Sequence, residues 1–200
     1  MRSISKEEIA AFNTEKFTGH IFVVDTAEKA DEAVNYLSGF INLGFDTETR
    51  PSFRKGNVNK VALIQLATEK QCYLFRLNRI GSSSSLIRLL SDSNIKKIGL
   101  SLKDDFNLLS RRMSFTPQGF IDLQNIVPKY NIAELSLQKI YAILFQKKIS
   151  KSQQLSNWDA EELSDAQKRY AALDAWACLK IYEKLCHTTS LGESTIETQG

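Results

Sequence analysis

Apolar residues recur in two rhythms along this chain. Ala30, Ala33, Val34, Leu37 and Phe40 fall at helical spacing, as do the apolar positions from Leu135 to Phe145. Between such stretches lie short apolar runs that read as strands: Ile21 to Val24, Ile41 through Leu43 to Phe45, Val58 to Ala67, Cys72 to Phe75, Ile95 to Leu100, and Phe120 to Ile121. Val61-Ala62-Leu63-Ile64 is apolar at every position, which predicts a central strand covered on both faces. Only a few residues separate it from Cys72-Tyr73-Leu74-Phe75, too few for a crossover, so the two form an antiparallel hairpin.

Polar residues mark where the helices begin. Ser5 and Glu8 have capping-box spacing and start a helix that runs to about Asn13. Asp25 is placed to cap the helix that follows. The short serine run Ser82 to Ser85 leads into a helix around Leu86, Leu89 and Leu90, and Ser101 opens one bearing Leu102, Phe106 and Leu109. Ser164-Asp165-Ala166-Gln167 is a second capping box, for a long helix reaching about Leu185. Thr188 to Gly200 is polar and aperiodic and reads as a frayed, disordered tail. The expected architecture is one α/β domain over residues 1–187. It has a mixed sheet with helices on both faces and a site at the strand ends.

Composition changes this picture little. The chain has 200 residues, 42% hydrophobic and 24% charged, with a formal net charge of +3. That is ordinary for a globular domain, and the mild basicity permits a nucleic-acid partner without arguing for one. The cysteines Cys72, Cys178 and Cys186 have neither zinc nor redox-motif spacing, which favours a reduced compartment. Met1 to Phe12 lacks the apolar run of a signal peptide, and no segment has the length of a membrane span. The expectation is no membrane association, and a cytoplasmic location if the source is bacterial.

The chemistry starts at Leu43-Gly44-Phe45-Asp46-Thr47-Glu48-Thr49. Asp46 and Glu48 are two apart on a strand, so both carboxylates project from one face. Close carboxylates repel, and burial raises the cost of charging both; a hard cation such as Mg²⁺ or Mn²⁺ removes that cost. Solvated acids at a strand end are the bland alternative. In the last helix Tyr170 and Asp174 are one turn apart on a face that is otherwise packed with small residues. A fourth acid comes from Asp104 or Asp105. Asp104 falls where an acid supports a helix capped by Ser101, which leaves Asp105 for the site. Asp122 competes from a strand end but reads as the cap of the helix starting at Leu123. His20 and His187 lie far from these acids in sequence and read as structural or surface residues.

Taken in order, Asp46-Thr47-Glu48, Leu102-Lys103-Asp104-Asp105-Phe106 to Leu109, and Tyr170-Ala171-Ala172-Leu173-Asp174 resemble the three motifs of the DEDD family of 3′–5′ exonucleases. Tyr170, four residues before Asp174, resembles the tyrosine subclass; Arg169 stands where the other subclass has histidine. Gly44-Phe45-Asp46, Lys60 to Leu66, Cys72 to Phe75 and Ser156-Asn157-Trp158 are most similar to the Werner syndrome-type exonuclease domain, and more distantly to ribonuclease D. The likeness covers about Ile21 to Leu185. The basic loop from Arg50 to Lys60 departs from it.

The resemblance implies a ribonuclease H-like fold and a two-metal-ion reaction using Mg²⁺ or Mn²⁺. Nucleoside 5′-monophosphates would be released from the 3′ end of nucleic acid, with DNA favoured. It implies metal binding by Asp46, Glu48, Asp105 and Asp174, with Tyr170 orienting the attacking water. Thr47, Arg50, Arg54, Lys55, Lys147, Lys148 and Lys151 are candidates for substrate contacts, with a solvated loop as the alternative for the basic ones. Trp158 could stack on a base or anchor a loop. A ribonuclease D-like RNA 3′-trimming enzyme and a non-catalytic nucleic-acid-binding module are the rival readings. A helicase or other DNA-repair partner also fits the resemblance.

Overall fold

The structure, a computed structural model, describes residues 1–51 and 60–193, with side chains through residue 187. The elements run α1 (Lys6–Ala10), β1 (His20–Val24), α2 (Ala27–Leu37), β2 (Asn42–Thr49), β3 (Val61–Ala67), β4 (Gln71–Arg76), α3 (Leu77–Ile80), α4 (Ser84–Leu90), β5 (Lys96–Gly99), α5 (Leu102–Leu109), β6 (Phe120–Asp122) and α6 (Leu123–Ile126). A 3₁₀ turn (Val127–Tyr130), α7 (Leu137–Phe145) and α8 (Asp165–Glu193) complete the chain. The six strands form one sheet in the order β1-β4-β3-β2-β5-β6. β3 pairs antiparallel with both β4 and β2, and the remaining neighbours are parallel. This is the expected mixed sheet with its hairpin.

All seven residues of β3 are buried, as its unbroken apolar run predicts. Helices cover both faces. Ala30, Val34 and Leu37 of α2, Leu86 and Leu90 of α4, and Leu102 and Leu109 of α5 pack on the side of Phe45, Ile64 and Phe75. Leu63, Leu74 and Ile98 face the other core, built with Ile140 and Tyr141 of α7 and Ala171, Ala172, Ala175 and Cys178 of α8.

The small residues of α8 let it lie close on the sheet. A Cβ at Gly44 would stand 2.0 Å from the Ala175 carbonyl oxygen, so only glycine fits at this crossing. Gly44 is two residues before Asp46 on the same strand face, and Ala175 follows Asp174. The contact therefore sets the distance between the two halves of the acidic site.

Several local expectations change. Thr26, not Asp25, caps α2, accepting from the Lys29 N–H at 3.3 Å, while Asp25 turns to the Lys29 ammonium at 2.7 Å. Ser101 does not cap α5 with its side chain; its φ of 64° points the hydroxyl elsewhere, and Asp122 supplies the cap. The long helix extends to Glu193 rather than stopping near Leu185, there being no proline and no glycine before Gly192 to end it. Residues 194–200 lie outside the described residues. Both capping boxes form, Ser5 with Glu8 and Ser164 with Gln167. No helix among the described residues is long and apolar enough to cross a membrane.

Candidate active site

β2 is buried from Leu43 to Phe45 and delivers Asp46 and Glu48 to the floor of a cavity of about 370 Å³. α8 crosses this strand and brings Asp174 to the same point. Carboxylate oxygens of Asp46, Glu48 and Asp174 lie within 4.8 Å of one another, although 126 positions separate Glu48 from Asp174. Glu48 is 9% exposed and Asp174 8%. Three acids so placed cannot all be ionised cheaply.

The charge states follow from that crowding. Burial first, then the charges of Asp174 and Asp105, holds Asp46 well above the usual carboxylate range. Burial and the neighbouring acids push Glu48 up to about 10. Burial raises Asp174 to about 7 against two opposing effects, hydrogen bonding from Tyr170 and the nearby Lys151 charge. Tyr170 is itself pushed up, by burial and then by Asp174, Glu48 and Asp46, so its hydroxyl keeps its proton and donates. One Asp174 oxygen, Oδ1, is buried and has no hydrogen-bond partner. A divalent cation would satisfy that oxygen and lift the repulsion together, and an all-carboxylate donor set suits a hard ion.

Asp105 stands beside this group rather than in it. It reaches the site from α5, on the opposite face of the sheet, and accepts a hydrogen bond from Thr47 Oγ1 at 2.5 Å. Its carboxyl is raised to about 6 by burial, with the Thr47 hydroxyl acting against the rise. Asp104 is exposed. Asp122 accepts from the N–H groups of Ser101 at 3.0 Å, Leu102 at 2.9 Å and Gln124 at 2.9 Å, and so caps α5 and α6 together.

The substrate-contact candidates divide. Lys151 and Thr47 line the cavity, with Gln124, Ser136, Gln138 and Gln154, polar residues whose spacing gives no warning of a shared site. Arg50 is exposed at the end of β2. Arg54 and Lys55 lie outside the described residues. Trp158 is 0% exposed, which rules out stacking on a base; its ring packs 6.1 Å from that of Tyr170. Lys147 pairs with Glu15 at 3.0 Å, and Lys148 donates to the Ala10 carbonyl at 2.9 Å, so both tie the loop after α7 to the N-terminal segment. His20 and His187 are exposed, and Cys72 and Cys178 are buried free thiols.

The family model for the 3′–5′ exonuclease domain matches residues 21–189, which includes every acid of the cavity. The chain belongs to the 3′–5′ exonuclease family. Among curated proteins it is 35% identical over 149 residues to the mouse bifunctional 3′–5′ exonuclease/ATP-dependent helicase WRN, covering 72% of this chain and 11% of that protein. The exonuclease domain of Aedes aegypti Nibbler superposes with a TM-score of 0.81 at 22% identity, over 89% of this chain and 94% of that one. Escherichia coli RNase D, an exoribonuclease, superposes with a TM-score of 0.75 at 23% identity, over 86% of this chain and 45% of that one. These exonuclease likenesses fix the fold as ribonuclease H-like. The chain spans about a tenth of the WRN protein's length.

Proposed function

We infer that this chain hydrolyses phosphodiester bonds from the 3′ end of nucleic acid, releasing nucleoside 5′-monophosphates, and that it is a tyrosine-subclass member of its family. The observation carrying the reading is the meeting of Asp46, Glu48 and Asp174 within 4.8 Å on a cavity floor. Asp46, Glu48 and Asp174 would hold one divalent ion, and Asp46 with Asp105 a second; Mg²⁺ or Mn²⁺ suits these donors. Bound there, such ions activate water and neutralise charge on the phosphate and leaving oxygen.

The side chains do the rest. Tyr170 keeps its proton and donates to Asp174, so its hydroxyl is a fixed point for orienting the attacking water and not a base. Asp174, tied to Tyr170 through one oxygen, keeps the other for the cation. Lys151 at the cavity wall offers its ammonium to a backbone phosphate. We favour DNA as the substrate, as the resemblance of the motif-bearing segments to the Werner syndrome-type domain implies, and keep RNA 3′-end trimming as the alternative, since Escherichia coli RNase D, an exoribonuclease, shares the fold.

The test is digestion of end-labelled DNA and matched RNA, as single strands and recessed duplexes, with Mg²⁺, Mn²⁺ or chelator. Stepwise shortening from the 3′ end that stops in chelator, and is absent from Asp46→Ala and Asp174→Ala, is expected. Full activity in either variant, or shortening from the 5′ end, would sink the reading.

A further inference from the structure

Gln65 lies at the centre of β3, and neither its Oε1 nor its Nε2 has a hydrogen-bond partner although the residue is 0% exposed. A buried amide without partners is costly, and a core glutamine could be replaced by leucine or methionine of similar volume at no loss of packing. Cores shed such groups unless function holds them in place.

Its position says which function. Gln65 is the direct cross-strand partner of Asp46. Residues so paired point to the same face, with Cβ atoms about 5 Å apart. That face is the one under α8. On β4 the residue opposite Gln65 is Leu74, which offers no polar group. The Asp46 carboxylate is half-buried, and its oxygen lies within 4.8 Å of those of Glu48 and Asp174, acids that cannot donate to it when ionised. The unpartnered donor and the crowded carboxylate are thus cross-strand neighbours on one face.

We propose that Gln65 is the positioning residue for Asp46. Its amide N–H, directly or through one buried water, holds the Asp46 carboxylate in the orientation that binds the ions. This rests on the metal-binding reading of the site but adds a residue that touches neither substrate nor metal. The cost of the buried amide is offset where its N–H reaches the Asp46 carboxylate.

The test separates positioning from packing, because the two predict opposite patterns. Gln65→Met and Gln65→Leu each remove the unsatisfied amide, so the melting temperature in chelator should stay level or rise. Mn²⁺ affinity, measured by calorimetry or electron spin resonance without nucleic acid, should fall about 10- to 100-fold, the usual effect of losing a group behind a metal ligand. Gln65→Glu offers the carboxylate no such N–H donor at high pH and should not restore affinity. Wild-type Mn²⁺ affinity in Gln65→Met overturns the proposal. So does a clear drop in melting temperature in both apolar variants, since the amide would then be satisfied and structural. Wild-type protein that binds Mn²⁺ but shortens no oligonucleotide counts against the exonuclease reading alone, and the Gln65 comparison still stands on metal affinity.

Discussion

Thr47 Oγ1 donates to Asp105 Oδ1 at 2.5 Å, across 58 positions of sequence. β2 therefore does two jobs with alternate residues. Asp46 and Glu48 face α8, and the intervening Thr47 fixes the acid that arrives from α5. Thr47→Val keeps the side-chain shape and removes the donor. The expected loss of stability is about 1 kcal/mol. The half-saturating Mg²⁺ concentration should rise about tenfold, with little change at saturating metal. An unchanged metal requirement would show that Thr47 does not prepare Asp105.

Asp122 gathers three backbone N–H groups, two of them at the start of α5. Ser101, in a left-handed conformation, makes no side-chain cap of its own. Asp122→Ala should destabilise the fold by about 2 kcal/mol. Asp122→Asn should recover part of this, because its amide oxygen still accepts. Equal denaturant midpoints for Asp122→Ala and the wild type would remove Asp122 from the support of α5.

How much of this was legible depended on how local each signal was. Asp46 with Glu48, and Tyr170 with Asp174, announce shared faces through spacings of two and four, which strand and helix periods translate directly. The meeting of the two pairs is not local, though Gly44 in the apolar strand and the alanines around Asp174 hint at the close crossing that produces it. Ser101 looked like a cap because the sequence shows a serine before a helix but not its φ of 64°. Trp158 reads from sequence as either a base stacker or a loop anchor, and its full burial decides for the anchor. Lys147 and Lys148 looked available to phosphate because their partners, Glu15 and Ala10, are more than 130 positions away.

The raised carboxyls give the metal-free protein a definite pH response. Glu48, Asp174 and Asp105 sit near 10, 7 and 6 in the folded chain, against ordinary values of 4.5, 3.8 and 3.8. The folded state thus keeps protons that the unfolded chain has released. Through these groups stability is greatest below about pH 4 and falls as pH rises through the window up to the folded values. Bound cations reverse the sign, since binding requires the ionised acids and strengthens as the protons leave. Melting temperatures with chelator and with excess Mg²⁺ should therefore diverge as pH rises from about 5 to 9. A gap that stays constant across that range would contradict the charge states assigned here.

Tyr170→Phe isolates the hydroxyl. The ring keeps its packing against Trp158, while Asp174 loses its donor. Catalysis at saturating Mg²⁺ should fall by about 100-fold or more, as for other groups that manage a proton or water in the transition state. Metal affinity should change only a few-fold, because no ligand is removed. A collapse of Mn²⁺ binding in calorimetry would mean that Tyr170 serves the ions and not the water.

Among the described residues, Lys151 is the basic one that lines the cavity, and its charge is felt by Asp174. It has two available roles, holding the acid in the empty site or holding a phosphate in the occupied one, and they make different predictions. If it serves substrate, Lys151→Ala should weaken binding of a catalytically inactive Asp46→Ala background about equally for all sequences. The slope of log affinity against log salt should drop by about one. Mg²⁺ affinity without nucleic acid should stay the same or improve slightly, since a cation that competes for Asp174 has gone. If Lys151 serves the acid alone, the salt slope will not move. We expect the first pattern, because the ammonium is at an open wall where a phosphate can displace its weak hold on Asp174.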